Sequence, residues 1–274
     1  MRVSVTELLT WRHCQRLHAF KYKERLEPKV RNEHMASGTS VHKSIEHTLL
    51  ALRGGLESYD VKKIRDSFAE TFLLQEFEHE ERGEELAMKY TRGVRNALDN
   101  APAWLWKLTG ENVFIEHPLE LRLEADLIVH GRPDLFHIDP EHKIVELLEF
   151  KTTAKDPGKY LLWNPQHRLY CLMLSAMYPD HGIQFRYVTL PTQGKAPAEL
   201  LPWRFNHKVE RATADYLGQL VREMRETTAI GYTSPNVGWH CDFCDFNKIC
   251  AAIETGGDAS AAKAEGFKER ERRA

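Results

Sequence analysis

Apolar residues recur at helical spacing near the start of the chain, and a capping box from Ser4 to Glu7 predicts a first helix reaching about Tyr22, with Cys14 on it. A second helix is expected after Gly38, where Thr39 or Ser40 can cap it, and it should stop at Gly54-Gly55. Residues 60–108 read as helical, because helix formers dominate, no proline precedes Pro102, and Phe68, Phe72 and Phe77 supply anchors. The period then drops to two. Leu119, Leu121, Leu123, Ala125, Leu127 and Val129 alternate with Glu120, Arg122, Glu124 and Asp126, which predicts a half-buried strand, or a bent pair of strands, ending near Gly131. Residues 133–151 read as a hairpin around the turn Asp139-Pro140-Glu141-His142, and its second strand, Ile144 to Phe150, is apolar enough to be buried on both faces. A helix from Gln166 to Tyr178 stopped by Pro179, a strand from Gln184 to Leu190 and a long helix from Asn206 to about Thr228 follow. The end of the chain, rich in Ala, Gly and charge from Gly256 onward, reads as a frayed tail. This order of elements predicts the α/β class, with a mixed central sheet flanked by helices.

Composition narrows the class without naming a function. At 274 residues the chain is one elaborated domain or two, and 42% hydrophobic with 28% charged residues excludes disorder, collagen and a disulfide scaffold. The most apolar stretch, Leu169 to Tyr178, is about half of the roughly 20 residues that a membrane-spanning helix needs. The N-terminus lacks the layout of a secretory signal, so a cytoplasmic protein with reduced cysteines and no membrane partner is expected. No Gly-x-x-x-x-Gly-Lys-Ser/Thr loop occurs, so no use of a nucleoside triphosphate is expected. The net charge of -2 hides an asymmetry. Residues 2–31 carry eight basic and three acidic side chains, whereas residues 57–86 carry ten acidic and four basic ones. A solvated helix surface accounts for either run, and a nucleic-acid footprint needs support from elsewhere.

Several polar residues fall where chemistry is possible. His42 and Glu46 share one helix face, one turn apart. Asp134, after Gly131-Arg132-Pro133, opens the hairpin, and Glu149 and Lys151 end the buried strand on one side with Phe150 opposite. Buried charges of this kind need a partner such as a metal ion. Hairpin geometry brings Asp134 towards Glu149, which offers two hard oxygen ligands for Mg²⁺ or Mn²⁺, and His42 adds a nitrogen that favours Mn²⁺ slightly. A metal so held polarises a phosphodiester, and Lys151 can orient the attacking water or offset charge on the phosphate. Separately, Cys241-x-x-Cys244-x5-Cys250 reads first as a zinc knuckle, but no second knuckle exists. The fourth thiolate falls to Cys14 or Cys171, and Cys171, inside Leu169 to Leu174, reads as a buried inert thiol.

Taken in order, Gly38-x-x-x-His42-x-x-x-Glu46, Gly131-Arg132-Pro133-Asp134, Glu149-Phe150-Lys151 and Gln166-x-x-x-Tyr170 resemble the motifs of RecB-like nucleases of the PD-(D/E)XK superfamily. The resemblance implies a restriction-endonuclease-like core, with His42, Asp134, Glu149 and the backbone carbonyl of Phe150 as metal ligands and Lys151 as catalytic lysine. Glu46 would be catalytic as an outer group or a ligand of a second ion. Gln166 and Tyr170 would contact DNA or steady the site, and the basic first helix, with Arg12, Arg16, Trp11 and Tyr22, would lie on the substrate path. Cys14 with Cys241, Cys244 and Cys250 is similar to the 4Fe-4S ligand set of AddB-type subunits and CRISPR-associated RecB-like exonucleases. This implies an iron-sulfur latch of residues 1–36 and 230–254, a nuclease core of 37–55 and 111–229, a helical insertion of 56–110 and a flexible tail of 255–274. The implied activity is metal-dependent exonuclease action on single-stranded DNA or duplex ends, in a recombination, repair or CRISPR adaptation setting (the host cytoplasm for a viral chain). The alternatives are a catalytically silent DNA-binding scaffold subunit, a structure-selective endonuclease and an RNA-directed nuclease.

Overall fold

In the computed structural model, which describes residues 1–30, 32–57, 60–153, 164–194, 199–230 and 233–270, the apolar strand β7 (Ile144–Thr153) lies mid-sheet. It takes that place because its run from Ile144 to Phe150 has little polar face to give to water. The sheet order is β3-β6-β7-β8-β9, with β3 at Val113–Ile115, β6 at Leu135–Asp139, β8 at Gly182–Pro191 and β9 at Glu199–Phe205. The hairpin β6–β7 is antiparallel, and β7 runs parallel to β8. The connection between the parallel pair contains α6 (Pro165–Met177), as a parallel crossover requires.

Alternation along β7 and β8 feeds two cores. Val145, Leu147, Phe185 and Tyr187 pack under α1 (Val5–His13), α6 and α7 (His207–Ile230). Leu148, Phe150, Val188 and Leu190 pack under α3 (Glu33–Arg53), α4 (Val61–Phe77) and α5 (Gly83–Asp99). The predicted helical insertion therefore shares one face of the sheet with α3, with Leu73, Phe77, Val94 and Leu98 in that core. A smaller sheet joins β1 (Arg2–Ser4) to the hairpin of β4 (Leu119–Glu124) and β5 (Leu127–Gly131), as the alternation from Leu119 predicted.

Four expectations change. The first helix ends at His13, because Cys14 adopts extended backbone and caps α2 (Gln15–His18), which runs on into a π-turn, Ala19–Lys23. Helix α3 starts well before Thr39, because Asn32 accepts hydrogen bonds from the His34 and Met35 N–H groups and supplies the cap. Residues 5–13 of the predicted latch belong to the nuclease core, with Val5, Leu8 and Trp11 buried in it. Finally, the predicted tail is folded: after α8 (Asn247–Thr255) and α9 (Ala259–Gly266), β10 (Phe267–Glu269) pairs antiparallel with β2 (Leu26–Pro28). The physical reason is Phe267, which closes a third core with Phe20, Phe246 and Ile249. Residues 271–274 lie outside the described residues.

Candidate active site

The hairpin β6–β7 and helix α3 bring four of the predicted residues together. Asp134 sits just ahead of β6, where its N–H donates to Glu149 Oε1 at 3.3 Å and its Oδ2 accepts from the Phe150 N–H at 2.8 Å. His42 Nδ1 from α3 meets Asp134 Oδ1 at 3.0 Å, and Lys151 Nζ lies 3.6 Å from Glu149 Oε2. The two carboxylates, fifteen residues apart in sequence, are thus laced across the hairpin.

Charge is crowded here. Burial, followed by the neighbouring Asp134 carboxylate, pushes the Glu149 carboxyl up to about 8. Burial also opposes the charge of Asp134, yet His42, Lys151 and the Phe150 N–H hold it below the usual carboxylate range. Burial disfavours an imidazolium at His42, but Asp134 outweighs that and raises its pKa. Two buried acids of which one is forced towards neutrality are a donor set that suits a hard divalent cation, with imidazole beside them. Among the described residues, no three His, Cys, Asp or Glu side chains stand in ready-made ligand geometry. The oxygens of Asp134 and Glu149 are instead shared with His42, Lys151 and backbone N–H groups, partners that a cation would exchange for its own bonds.

Glu116 belongs to this group and was missed in the sequence. It follows β3 with φ of +47°, a left-handed conformation that costs a non-glycine residue about 1 kcal/mol, and its N–H donates to the Asp134 carbonyl at 3.0 Å. With Glu46, His42, Asp134 and Phe150 it lines a cavity of about 10 Å³. Burial, then Asp134 and Glu46, push its carboxyl up to about 7. Glu46 itself is paired to Lys43. Only tertiary pairing of β3 with β6 brings Glu116 here, so spacing carried no signal for it.

This arrangement agrees with the comparison to known families, in which the PD-(D/E)XK nuclease superfamily matches residues 2–251. The chain belongs to the PD-(D/E)XK nuclease superfamily. The crystal structure of a "putative exonuclease" from Eubacterium rectale is similar in fold to this PD-(D/E)XK chain, with TM-score 0.50 and 12% identity over 90% of this chain and 87% of that one. The crystal structure of SSO0001 covers 67% of this PD-(D/E)XK chain and 84% of its own at 19% identity, but a TM-score of 0.36 carries no weight. No curated protein matches.

Within the superfamily frame, Tyr170 supports the site from beneath. It is 3% exposed, its OH donates to the Arg132 carbonyl at 3.4 Å, and Gln166 Nε2 donates to that OH at 3.3 Å. The pair is therefore bonded to the Gly131-to-Asp134 turn, the geometry of the steadying role that was one of the two expected of it, and Tyr170 is buried. Two expected contacts are corrected. Trp11 is core, and Arg16 is 8% exposed, pairing with Glu254 and donating to the Thr233 carbonyl at 3.3 Å. Arg16 is thus a clasp on the C-terminal segment; Arg12 stays exposed on α1 beside Tyr216.

Cys14, Cys241, Cys244 and Cys250 of this PD-(D/E)XK chain all line one cavity of about 570 Å³. Burial comes first in pushing the Cys244 thiol up, with Asp245, Cys14 and Cys241 adding to it. Cys14 Sγ accepts from the Leu17 and Asn236 N–H groups, each at 3.5 Å, so it stands between the two ends of the chain. Cys171 is fully buried in the main core and outside this group. No helix among the described residues is long and apolar enough to cross a membrane.

Proposed function

We propose that the chain is a divalent-metal-dependent deoxyribonuclease that hydrolyses phosphodiester bonds of single-stranded DNA or of DNA ends. The convergence of His42, Asp134, Glu149 and Lys151 at the head of the β6–β7 hairpin carries this reading. His42, Asp134, Glu149 and the Phe150 carbonyl would hold Mg²⁺ or Mn²⁺, which supplies polarisation of the scissile phosphate and an acidified water. Lys151, beside Glu149, donates hydrogen bonds to the attacking water or a non-bridging phosphate oxygen and offsets the charge that grows there. Water oxygen bonds to phosphorus, one ester P–O bond breaks, and the leaving oxygen takes up a proton. Tyr170 and Gln166 hold the turn that sets Asp134. The name of the Eubacterium rectale neighbour agrees with cleavage from ends.

The proposal includes a 4Fe-4S cluster on Cys14, Cys241, Cys244 and Cys250, supported by their shared cavity and by the thiol donor set. Its role is structural, tying the start of α2 to α8 and the segment just before it.

The test is an end-labelled single-stranded DNA assay with Mg²⁺, Mn²⁺ or EDTA on anaerobically purified protein, with iron and sulfide analysis. Shortening of the label with metal and none with EDTA is expected, and Asp134→Ala or Lys151→Ala should lower the rate by about 100-fold or more. Undiminished metal-dependent cleavage by either variant sinks the catalytic assignment. Zinc without sulfide sinks the cluster, and DNA binding without cleavage favours the scaffold alternative.

A further inference from the structure

A groove of about 880 Å³ opens between the start of α3, the middle of α5 and the ends of β7 and β8. Among the described residues its lining includes His34, Ser37, Lys89, Tyr90, Arg92 and Thr152 and no carboxylate, while Glu33 beside it pairs with Lys89 and accepts from the Tyr90 OH. The groove neighbours the catalytic site along two elements: Ser37 precedes His42 by five residues on α3, and Thr152 follows Lys151 on β7 with its side chain on the Phe150 side of the sheet. Gly38 makes this possible: a Cβ there would meet Thr152 Oγ1 at 3.3 Å, so the absence of a side chain lets α3 lie against the strand end. Lys89 and Arg92 are exposed on one stretch of α5. Arg92 has no ion-pair partner among the described residues, whereas Lys89 reaches Glu33 at 3.0 Å and lies over the Tyr90 ring at 5.1 Å.

We propose that this groove is the path of the substrate strand, with Arg92 and Lys89 holding backbone phosphates and Tyr90 offering its ring to an unpaired base. The inference rests on the nuclease reading for the identity of the strand. A slot whose described lining is cationic, hydroxylic and amidic, one turn of α3 from the catalytic histidine, complements a polyanion. The Tyr90 ring at the cationic wall, edge-on to the His34 ring, suits an unstacked strand, whose bases present a free face. The basic contacts thus come from α5, at the end of the acidic run, and on the opposite face of the sheet from α1.

The test is fluorescence anisotropy of a labelled oligothymidylate with the full chain in EDTA, where nothing is cut, over a range of salt. Lys89→Ala and Arg92→Ala should each weaken binding about tenfold and lower the slope of log affinity against log salt by about 0.7. Arg122→Ala, the same charge loss on β4, should change neither, and Lys89→Arg should restore binding. Where the protein cuts, the groove variants should raise KM and leave kcat in place. Affinity and slope unchanged in both alanine variants, or no binding by the parent chain, overturns the groove. Equal binding of a blunt duplex with the same losses overturns the single-strand assignment. If the parent binds through Lys89 and Arg92 but cuts nothing with Mg²⁺ or Mn²⁺, the groove stands and the nuclease reading fails. If it cuts and the variants bind as it does, the reverse holds.

Discussion

Tyr170 occupies the space that any side chain on residue 131 would need, since a Cβ there would lie 2.4 Å from its Cε1 and 3.3 Å from Val5 Cγ2. Three residues ahead of Asp134, this glycine lets the turn rest on a buried ring. Gly131→Ala should therefore destabilise the fold by about 1–3 kcal/mol in urea unfolding and lower cleavage, because the ring and the turn must move apart. An unchanged midpoint would mean that the turn has slack. Glu149 carries a second prediction. With its carboxyl pushed up to about 8, it is largely protonated at neutral pH, and a cation must displace that proton. Mg²⁺ or Mn²⁺ affinity should thus rise with pH up to about 8 and then level, with proton release on binding seen by calorimetry in buffers of different ionisation enthalpy. Glu149→Gln should reduce the release, leaving the part that His42 contributes. Asp134, Glu149 and Lys151 were legible because a hairpin is local, so spacing alone brings its strands together. Glu116 was not, because a three-residue strand such as β3 has no period to read.

At the scale of elements, long periodic segments were legible and short or interrupted ones were not. The alternation from Leu119, the apolar run of β7 and the helices α6 and α7 were read closely, since burial of one face enforces the pattern, whereas the single helical stretch expected over 60–108 divides into α4 and α5. Strand β9 was missed: it contains Pro202, which an edge strand tolerates and a pattern search counts against a strand. The end of the chain was misread for a related reason, as its small residues hide one large anchor. Phe267 stacks on Phe246 at 4.8 Å, and Phe246 stacks on Phe20 at 5.4 Å. Phe267→Ala should cost about 3 kcal/mol in chemical unfolding, the usual range for a buried ring, whereas a free tail would show no change. Cys14 is also an element-scale result, since it ends one helix and caps the next while facing the other cysteines.

For the whole molecule, the central sheet between two helical layers makes stability depend on buried groups outside the proposed catalytic set. His167 on α6 is fully buried, stacked on Phe185 at 4.4 Å, with Nδ1 3.3 Å from the Tyr187 OH. Burial, aided by Arg168, lowers its pKa from 6.5 to about 4. The unfolded chain therefore binds this proton more readily, so the contribution of neutral His167 is complete above about 6.5 and is lost as pH falls towards 4. The loss should reach roughly 3 kcal/mol, read from urea midpoints across that window, and His167→Gln should flatten the dependence. Sequence by itself determined the α/β class, the position of the buried strand and the acid-acid-lysine signature. Those features follow from periodicity and from contacts within one hairpin, which physics fixes over short distances along the chain. Only the tertiary structure decided that His42 joins Asp134 from α3, that Glu116 stands beside them, that Arg16 clasps the C-terminal segment and that the groove with Lys89 and Arg92 lies on α5. Each of these depends on which faces of distant elements pack together, and that choice is made by the burial of whole cores.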